Sequence, residues 1–145
     1  MKKLFVSMCM VLVAFAMSSC RTSEKATSLS ALGGDWDIVK VNGETISASR
    51  GNQPYIGFDV EQKAIRGNAG CNRMGGEFTT AAKNGISFSR VVTTKMACLN
   101  PTAEEKVLKA LNAVETYKVL RNGDVALLDA NKAQVLLLMK KKMAR

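Results

Sequence analysis

Histidine is absent from the 145 residues of this chain. Its absence excludes the Ser-His-Asp and Cys-His arrangements of nucleophilic enzymes and removes histidine as a metal ligand. It also removes the side chain that most often transfers protons near neutral pH. Enzymes that use Ser-Lys pairs or two carboxylates work without histidine, so catalysis is disfavoured here rather than excluded.

Long hydrophobic runs are also missing. The run at residues 4–17 is apolar except for Ser7 and is 14 residues long, whereas a membrane-spanning helix needs about 20. Lysines at residues 2–3 precede this run, and small residues at 18–19 follow it. This order is typical of a secretory signal peptide rather than of a transmembrane anchor.

Cys20 stands directly after the small residues. A cysteine at this place predicts a lipoprotein signal at residues 1–19, with cleavage before Cys20 and lipid on its sulfur. Met17 replaces the aliphatic residue that is usual three positions before such a cysteine, and a plain signal peptide with an incidental cysteine is the alternative. Several acyl chains on Cys20 would hold the protein firmly at a membrane.

The residues after Cys20 are mostly polar and lack an apolar pattern. They predict a lipidated tether at residues 20–31, followed by one domain at residues 32–145. Arg21 rather than aspartate follows Cys20, which favours outer-membrane sorting under the enterobacterial rule. No acidic run follows Cys20, so a surface-export signal is missing, and we expect an outer-membrane anchor that faces the periplasm.

The chain has 21 basic and 12 acidic residues, a formal net charge of +9, and removal of residues 1–19 leaves 19 against 12, or +7. A basic surface suits phospholipid headgroups, lipopolysaccharide or nucleic acid, and an envelope location argues against nucleic acid. The lysines at residues 140–142 are either a solvated tail or an electrostatic contact with the membrane. We therefore expect as partners the membrane, through the lipid anchor, and an envelope protein or anionic envelope component, without a cofactor.

Short strands separated by turn residues occupy most of the domain. Asn-Gly pairs at residues 42–43, 84–85 and 122–123 are typical of hairpins, because both residue types accept the positive φ of tight turns. Strands are predicted at residues 36–41, 55–60, 64–68, 73–80, 86–92, 117–121, 125–128 and 134–139.

One helix interrupts the strands. Asn100 is placed as its N-cap and Pro101 as its first helical residue, and its end is predicted near Glu115. Apolar residues at positions 107, 108, 111 and 114 form one stripe along it. Five strands, one helix and three strands predict an α+β fold, a strongly curved antiparallel sheet or open barrel of about eight strands with one helix packed across it.

Three segments carry a family resemblance. The domain opens with Gly34-Asp35-Trp36, has Gly70-Cys71-Asn72-Arg73 near its centre, and has Thr94-Lys95-Met96-Ala97-Cys98 before the helix. Together, over residues 32–139, they resemble the META domain family, which includes the HslJ-like bacterial lipoproteins. The resemblance implies an α+β envelope domain with links to the heat-shock response, novobiocin resistance and, in parasites, virulence and secretion. It implies no catalytic residues, because none are established for the family.

Two cysteines remain after Cys9 leaves with the signal and Cys20 takes the lipid. Cys71 and Cys98 are then alone in an oxidising compartment, where such a pair is expected to form a disulfide. Redox catalysis and zinc binding are the alternatives. The pair lacks Cys-x-x-Cys spacing, and two thiolates without histidine leave a zinc site incomplete, so no metal is expected.

Asn72 and Arg73 are the candidates for ligand or partner binding, with Arg66 and Lys95 expected around the same corner. An arginine can hold a carboxylate or phosphate through two N–H groups. The alternative is that Asn72 satisfies backbone groups in a tight corner and that Arg73 is a solvated strand residue. Three residues are expected in the core instead: Trp36, Met74 and Met96.

The sequence favours a lipid-anchored, non-enzymatic module of the cell envelope that binds a protein or an anionic component. A chaperone-like structural partner of outer-membrane assembly is an alternative that rests on family analogy. Another is a histidine-independent hydrolase that uses carboxylates with Lys95. It requires at least two of its groups to converge in a pocket, and the candidate carboxylates are Asp35, Asp37 and Glu77.

Overall fold

The structure, a computed structural model, describes residues 28–46 and 53–142. The predicted signal peptide, Cys20 and most of the predicted tether lie outside the described residues. The described fold begins with a 3-10 turn at Leu29–Leu32, in which Leu32 is fully buried and Leu29 packs against the core. Residues 29–31, assigned to the tether from the sequence, are therefore part of the folded domain.

Within the described ranges, nine strands and one α-helix follow this turn. In chain order they are β1 Gly34–Val41, β2 Glu44–Thr45, β3 Tyr55–Asp59, β4 Ala64–Asn68, β5 Arg73–Ala81, β6 Gly85–Thr93, α1 Thr102–Asn112, β7 Thr116–Val119, β8 Val125–Leu128 and β9 Gln134–Lys140. The predicted α+β class and strongly curved antiparallel sheet are confirmed. The strand that the sequence did not predict is β2, because two residues are too few to form a pattern.

The sheet is antiparallel throughout and curves into a ring. Strand β1 pairs with β3 and also with the last strand, β9, which closes the ring. Strands β6 and β7 share only the pair Gly85 and Thr116, so the ring is uneven at this place and is not a regular barrel. Helix α1 packs against β1, β6 and β9. Among the described residues, no helix has the length and apolarity needed to cross a membrane.

Alternation along the strands separates the core from the outer face, because successive strand residues point to opposite sides of a sheet. On β1, Trp36 and Ile38 are buried, whereas Asp37 between them is on the outer side. The Trp36 indole donates a hydrogen bond to the Leu32 carbonyl oxygen at 2.7 Å. Core positions are confirmed for Trp36 and Met74. The core prediction for Met96 is wrong, because this residue follows β6 in irregular chain and is 58% exposed.

Helix α1 is shorter than the sequence predicts. Its start lies one residue after the predicted one, because Pro101 stands at the N-cap position and Thr102 is the first helical residue. Asn100 precedes this N-cap, and its side-chain oxygen accepts a hydrogen bond from the Thr102 N–H at 3.1 Å. Its end was predicted near Glu115 but lies at Asn112. The reason is that the Glu115 N–H donates to the Leu128 carbonyl oxygen at 2.8 Å, so the chain has already joined the sheet.

An ion pair links β2 to the helix. The Lys106 ammonium donates a hydrogen bond to the Glu44 carboxylate. This hydrogen bond, together with the lysine charge, lowers the pKa of Glu44. Both side chains are exposed, so the pair contributes little stability.

The corner between β4 and β5 approaches the start of the helix. Gly70 in this corner has φ +134°, and a Cβ there would lie 3.4 Å from the Glu104 nitrogen. Glycine suits this position because it tolerates both the positive φ and the close approach. The Asn68 side chain closes the corner by accepting a hydrogen bond from the Gly70 N–H at 2.7 Å and donating one to the Cys71 carbonyl oxygen at 3.2 Å.

A disulfide between Cys71 and Cys98 joins this corner to the segment before the helix, as the sequence predicts. The bond closes a loop with a sequence separation of 27 residues. In the chain-entropy description, such a loop corresponds to about 3.6 kcal/mol of stabilisation.

Asn72, next to this disulfide, is 5% exposed. Its backbone N–H and its side-chain nitrogen donate to the two oxygens of Glu104 at 2.7 and 3.0 Å. Its side-chain oxygen accepts from the Thr94 hydroxyl and the Met96 N–H, each at 2.8 Å. Asn72 and Glu104 are the two buried polar residues of the described chain, and they satisfy one another.

Replacing Cys71 and Cys98 together with alanine should lower the free energy of unfolding by about 3 kcal/mol, because the unfolded chain regains the entropy of the open loop. Urea denaturation followed by circular dichroism measures the change. The unaltered protein treated with dithiothreitol is the control and should show the same loss. An unchanged unfolding midpoint in both samples would contradict the prediction.

Glu104→Ala should lower the free energy of unfolding by about 2–3 kcal/mol, because it leaves the buried backbone N–H of Asn72 without an acceptor. The Asn72 side-chain nitrogen would retain only the weak sulfur acceptor of Cys98. Glu105→Ala, at the exposed neighbouring position, is the matched control and should stay within about 0.5 kcal/mol of the unaltered protein. A double-mutant cycle with Asn72→Ala measures the coupling directly. Additive losses in that cycle would show that the two side chains do not act as a pair.

Candidate functional site

The residues proposed from the sequence as binding groups are separated by the fold. Arg66 lies on β4 and donates a hydrogen bond to the Asp35 carboxylate at 2.8 Å, with both side chains exposed. Lys95 is exposed in the chain between β6 and α1. Asn72 uses its side chain for hydrogen bonds inside the protein, as the structural alternative predicts. Of this set, Arg73 alone lines the groove described next.

An open groove of about 820 Å³ lies on the outer face of the sheet, across β1, β3, β4 and β5 and beside the end of β9. We call it the basic groove and define it by six of its lining residues: Asp37, Tyr55, Asn68, Arg73, Lys141 and Lys142. Its position on the outer face leaves it open to partners.

Strand register brings the floor of the basic groove together. Asp37 is paired with Tyr55, Tyr55 with Asn68, and Asn68 with Arg73, so the four residues form a row across four strands. Their neighbours in sequence, such as Trp36, Ile56 and Met74, point into the core. The row therefore follows from the same alternation that builds the core.

Cations outnumber carboxylates in the lining of the groove. Four of them, Arg73 and lysines 140–142, face one carboxylate, that of Asp37. The Lys141 ammonium lies 3.8 Å from the centre of the Tyr55 ring, a cation–π contact. The Lys140 ammonium donates to the Gly33 carbonyl oxygen at 2.6 Å and lies 4.5 Å from the centre of the Trp36 ring.

The remaining charged groups of the groove lack hydrogen-bond and ion-pair partners among the described residues. The side chains of Arg73 and Lys142 make no hydrogen bond or ion pair with any residue in the described ranges. The Oδ1 atom of Asp37 is shielded from solvent and likewise accepts no hydrogen bond from a described residue. These two cations, unpaired within the described part of the chain, give the groove the chemistry to bind carboxylate, phosphate or sulfate groups.

The carboxylates considered for hydrolysis do not meet in this groove. Asp35 is paired with Arg66 at 2.8 Å, and Glu77 is paired with Arg90 at 3.0 Å. Asp37 lines the groove, whereas Lys95 does not. The hydrolase alternative needs at least two of these groups in one pocket, and the described structure does not bring them together.

Cys71, Cys98 and Glu104 form the one cluster of metal-ligating types among the described residues, with one ligand atom of each within 4.8 Å of the others. The two sulfur atoms are bonded to one another, and a metal requires thiolates. Both oxygens of Glu104 accept hydrogen bonds from Asn72. In this oxidised form, the three residues therefore stabilise the fold through the disulfide and the hydrogen bonds to Asn72.

Sequence reasoning missed Glu104 as the partner of Asn72, and Tyr55 and Asn68 as parts of a groove. The register of β1, β3 and β4 brings the groove residues together, and the sequence carries no direct signal for that register. The sequence does indicate the lysines at residues 140–142 as candidate groove residues, because they form the one run of three basic residues in the chain.

Comparisons with known proteins identify the domain. The family model described as "META domain" matches residues 27–142. No curated protein matches the chain.

Three solved structures share the fold. A protein from Burkholderia xenovorans, solved by NMR, has 19% sequence identity and a TM-score of 0.58, with 79% of this chain and 88% of that chain covered. A second NMR structure has 24% identity and a TM-score of 0.56, over 74% and 88% of the two chains. A crystal structure of a DUF4847 family protein from Bacteroides vulgatus has 16% identity and a TM-score of 0.53, over 78% and 96%.

At these identities the structures show a common fold and carry no function to this chain. The family model covers most of the chain, including β1–β9, the disulfide and the basic groove. The chain therefore belongs to the META domain family.

Proposed function

We propose that this META domain chain is a lipid-anchored, non-enzymatic binding module of the bacterial cell envelope, and that its basic groove binds an anionic partner. The observation that carries the proposal is a pair of cations, Arg73 and Lys142, that have no partner among the described residues and lie in a groove of about 820 Å³. A free cation at a surface is ordinary, but two that share one groove with Lys141 create a local positive potential.

The anchor is supported by the order of features at the N-terminus. A cationic start, a 14-residue apolar run and small residues precede Cys20, which is the order of a lipoprotein signal. The disulfide between Cys71 and Cys98 agrees with an oxidising compartment such as the periplasm. Arg21 after the lipidated cysteine favours the outer membrane, with the domain on the periplasmic side.

A binding role without chemistry is supported by the groups that the groove offers. It contains no histidine, because the chain has none. Its cations suit charge recognition, and its one carboxylate, Asp37, has no second carboxylate in the lining to share acid–base work. The groove therefore suits a partner that is held by charge.

Lipidation can be tested in growing bacteria that are supplied with radiolabelled palmitate. The full chain should incorporate the label and fractionate with membranes, and Cys20→Ser should lose the label, because the acyl acceptor is the Cys20 sulfur. An unlabelled wild-type chain would contradict the anchor.

Photocrosslinking in intact cells tests the groove. A photoreactive amino acid in place of Met139, which lines the groove, should form an adduct with an anionic partner. The same amino acid in place of Ala82, in the turn between β5 and β6, is the control position and should not.

Charge reversal sharpens this experiment. Arg73→Glu should lower the adduct yield from position 139 about tenfold, because it removes a charge-assisted contact. Arg121→Glu, at an exposed turn residue outside the groove, is the matched control and should leave the yield unchanged. Equal yields from positions 139 and 82, or equal effects of the two reversals, would overturn the proposal.

A further inference from the structure

We infer that the basic groove and the exposed apolar residues beside it form one docking surface for a bilayer of anionic glycerophospholipid. The inference rests on the proposed function, because it takes the lipid on Cys20 and an anionic occupant of the groove as given. Beyond that function, we specify the partner that occupies the groove and the side of the domain that faces the membrane.

The first described residues lie next to the groove. The Lys140 ammonium, in the groove lining, donates to the Gly33 carbonyl oxygen at 2.6 Å. Ser28, where the described chain begins, is separated from Gly33 by the short turn at Leu29–Leu32, and a 3-10 turn of this length spans about 8 Å. A chain that enters from the membrane therefore meets the domain on the side of the groove.

The length of chain ahead of Ser28 limits the distance to the membrane. Ser28 is eight residues after Cys20, and eight residues reach at most about 28 Å when fully extended. A domain held this closely by acyl chains on Cys20 samples the bilayer surface at high effective concentration. Weak surface contacts are then sufficient to orient it.

The charges of the groove suit an anionic bilayer. Four cations line the groove against the single carboxylate of Asp37. Basic side chains close to an anionic leaflet each contribute about fivefold to binding. Arg73 and Lys142 have no partner among the described residues, so they can bind headgroup phosphates without first breaking an ion pair.

Exposed apolar side chains lie beside these cations. Met96 lines the groove and is 58% exposed. Val92 is 67% exposed and is paired with Gly75, which follows Arg73 by two residues and so lies on the same face of β5. Leu99 is 80% exposed and adjoins Cys98, which the disulfide holds against Cys71 in the groove lining.

Apolar residues rimmed by cations are typical of surfaces that insert into the headgroup region. In the described chain the exposed large hydrophobic residues are Val92, Met96, Leu99 and Met139. Met96 and Met139 line the groove, and Val92 and Leu99 lie beside it. A soluble polar partner would gain nothing from them, whereas a bilayer would bury them. The combination favours a membrane surface over a free phosphate or an acidic peptide.

Tryptophan fluorescence of the full chain in reconstituted vesicles tests the inference. The chain has one tryptophan, Trp36, which is buried, so its emission is a constant background. Leu99→Trp reports on the docking surface. Ala82→Trp reports on the opposite end of β5, which is nine residues long and therefore about 30 Å from end to end.

In vesicles that contain phosphatidylglycerol, Leu99→Trp should show blue-shifted emission and quenching by brominated acyl chains, and Ala82→Trp should show neither. In vesicles of phosphatidylcholine alone, both should be weak. Adding Arg73→Gln and Lys142→Gln should lower the docking equilibrium constant about 25-fold, since each basic side chain contributes about fivefold. Arg121→Gln with Lys109→Gln, both exposed and outside the groove lining, is the matched control and should leave it unchanged.

The outcomes separate this inference from the proposed function. A chain that does not float with vesicles at all refutes the lipid anchor. A chain that floats but gives the same response at positions 99 and 82 overturns the docking inference and leaves the anchor standing. If position 99 does not respond while position 139 crosslinks to a protein in cells, the groove belongs to a protein partner and the bilayer inference is wrong.

Discussion

The bond between Cys71 and Cys98 is the constraint on which the rest of the site depends. It joins segments with a sequence separation of 27 residues, and it brings the corner after β4 against the start of α1. Asn72 can then place both of its donor groups on Glu104 inside the protein, where unpaired polar groups would be costly. The same bond fixes the rim of the basic groove, because Arg73 follows the corner directly and Met96 is hydrogen-bonded to Asn72.

Most of the fold could be predicted from the sequence, because the patterns that specify strands and turns lie within short segments of the chain. Alternating residues and Asn-Gly turns located eight of the nine described strands, and Asn100 with Pro101 located the start of the helix to within one residue. The errors occurred where tertiary contacts override local preference. Residues after Asn112 favour a helix by their apolar spacing, but the Glu115 N–H is taken by the carbonyl oxygen of Leu128 on β8. Met96 has a core-like side chain and lies in irregular chain at the surface.

The site was less predictable because strand register determines it. Arg66 and Arg73 are seven residues apart in the same hairpin and look equivalent in the sequence. The register places Arg66 two strands from Asp35, within 2.8 Å of its carboxylate, and places Arg73 opposite Asn68, without a carboxylate partner among the described residues. The disulfide was predictable from cysteine count and compartment, but the partnership of Asn72 with Glu104 was not, since nothing local relates them.

Net charge alone would therefore be a poor guide to where this protein binds. Elsewhere on the described surface, three cations are paired with acids: Arg66 with Asp35, Arg90 with Glu77 and Lys106 with Glu44. Others, such as Lys109 and Arg121, have no acidic partner among the described residues. Each ion pair cancels the field that a distant partner would sense. At the groove the cancellation is incomplete, because four cations share one carboxylate. Where the corner, held by the disulfide, meets the end of β9, this excess of cations lies beside exposed apolar side chains. The combination makes the groove the strongest candidate for the binding surface.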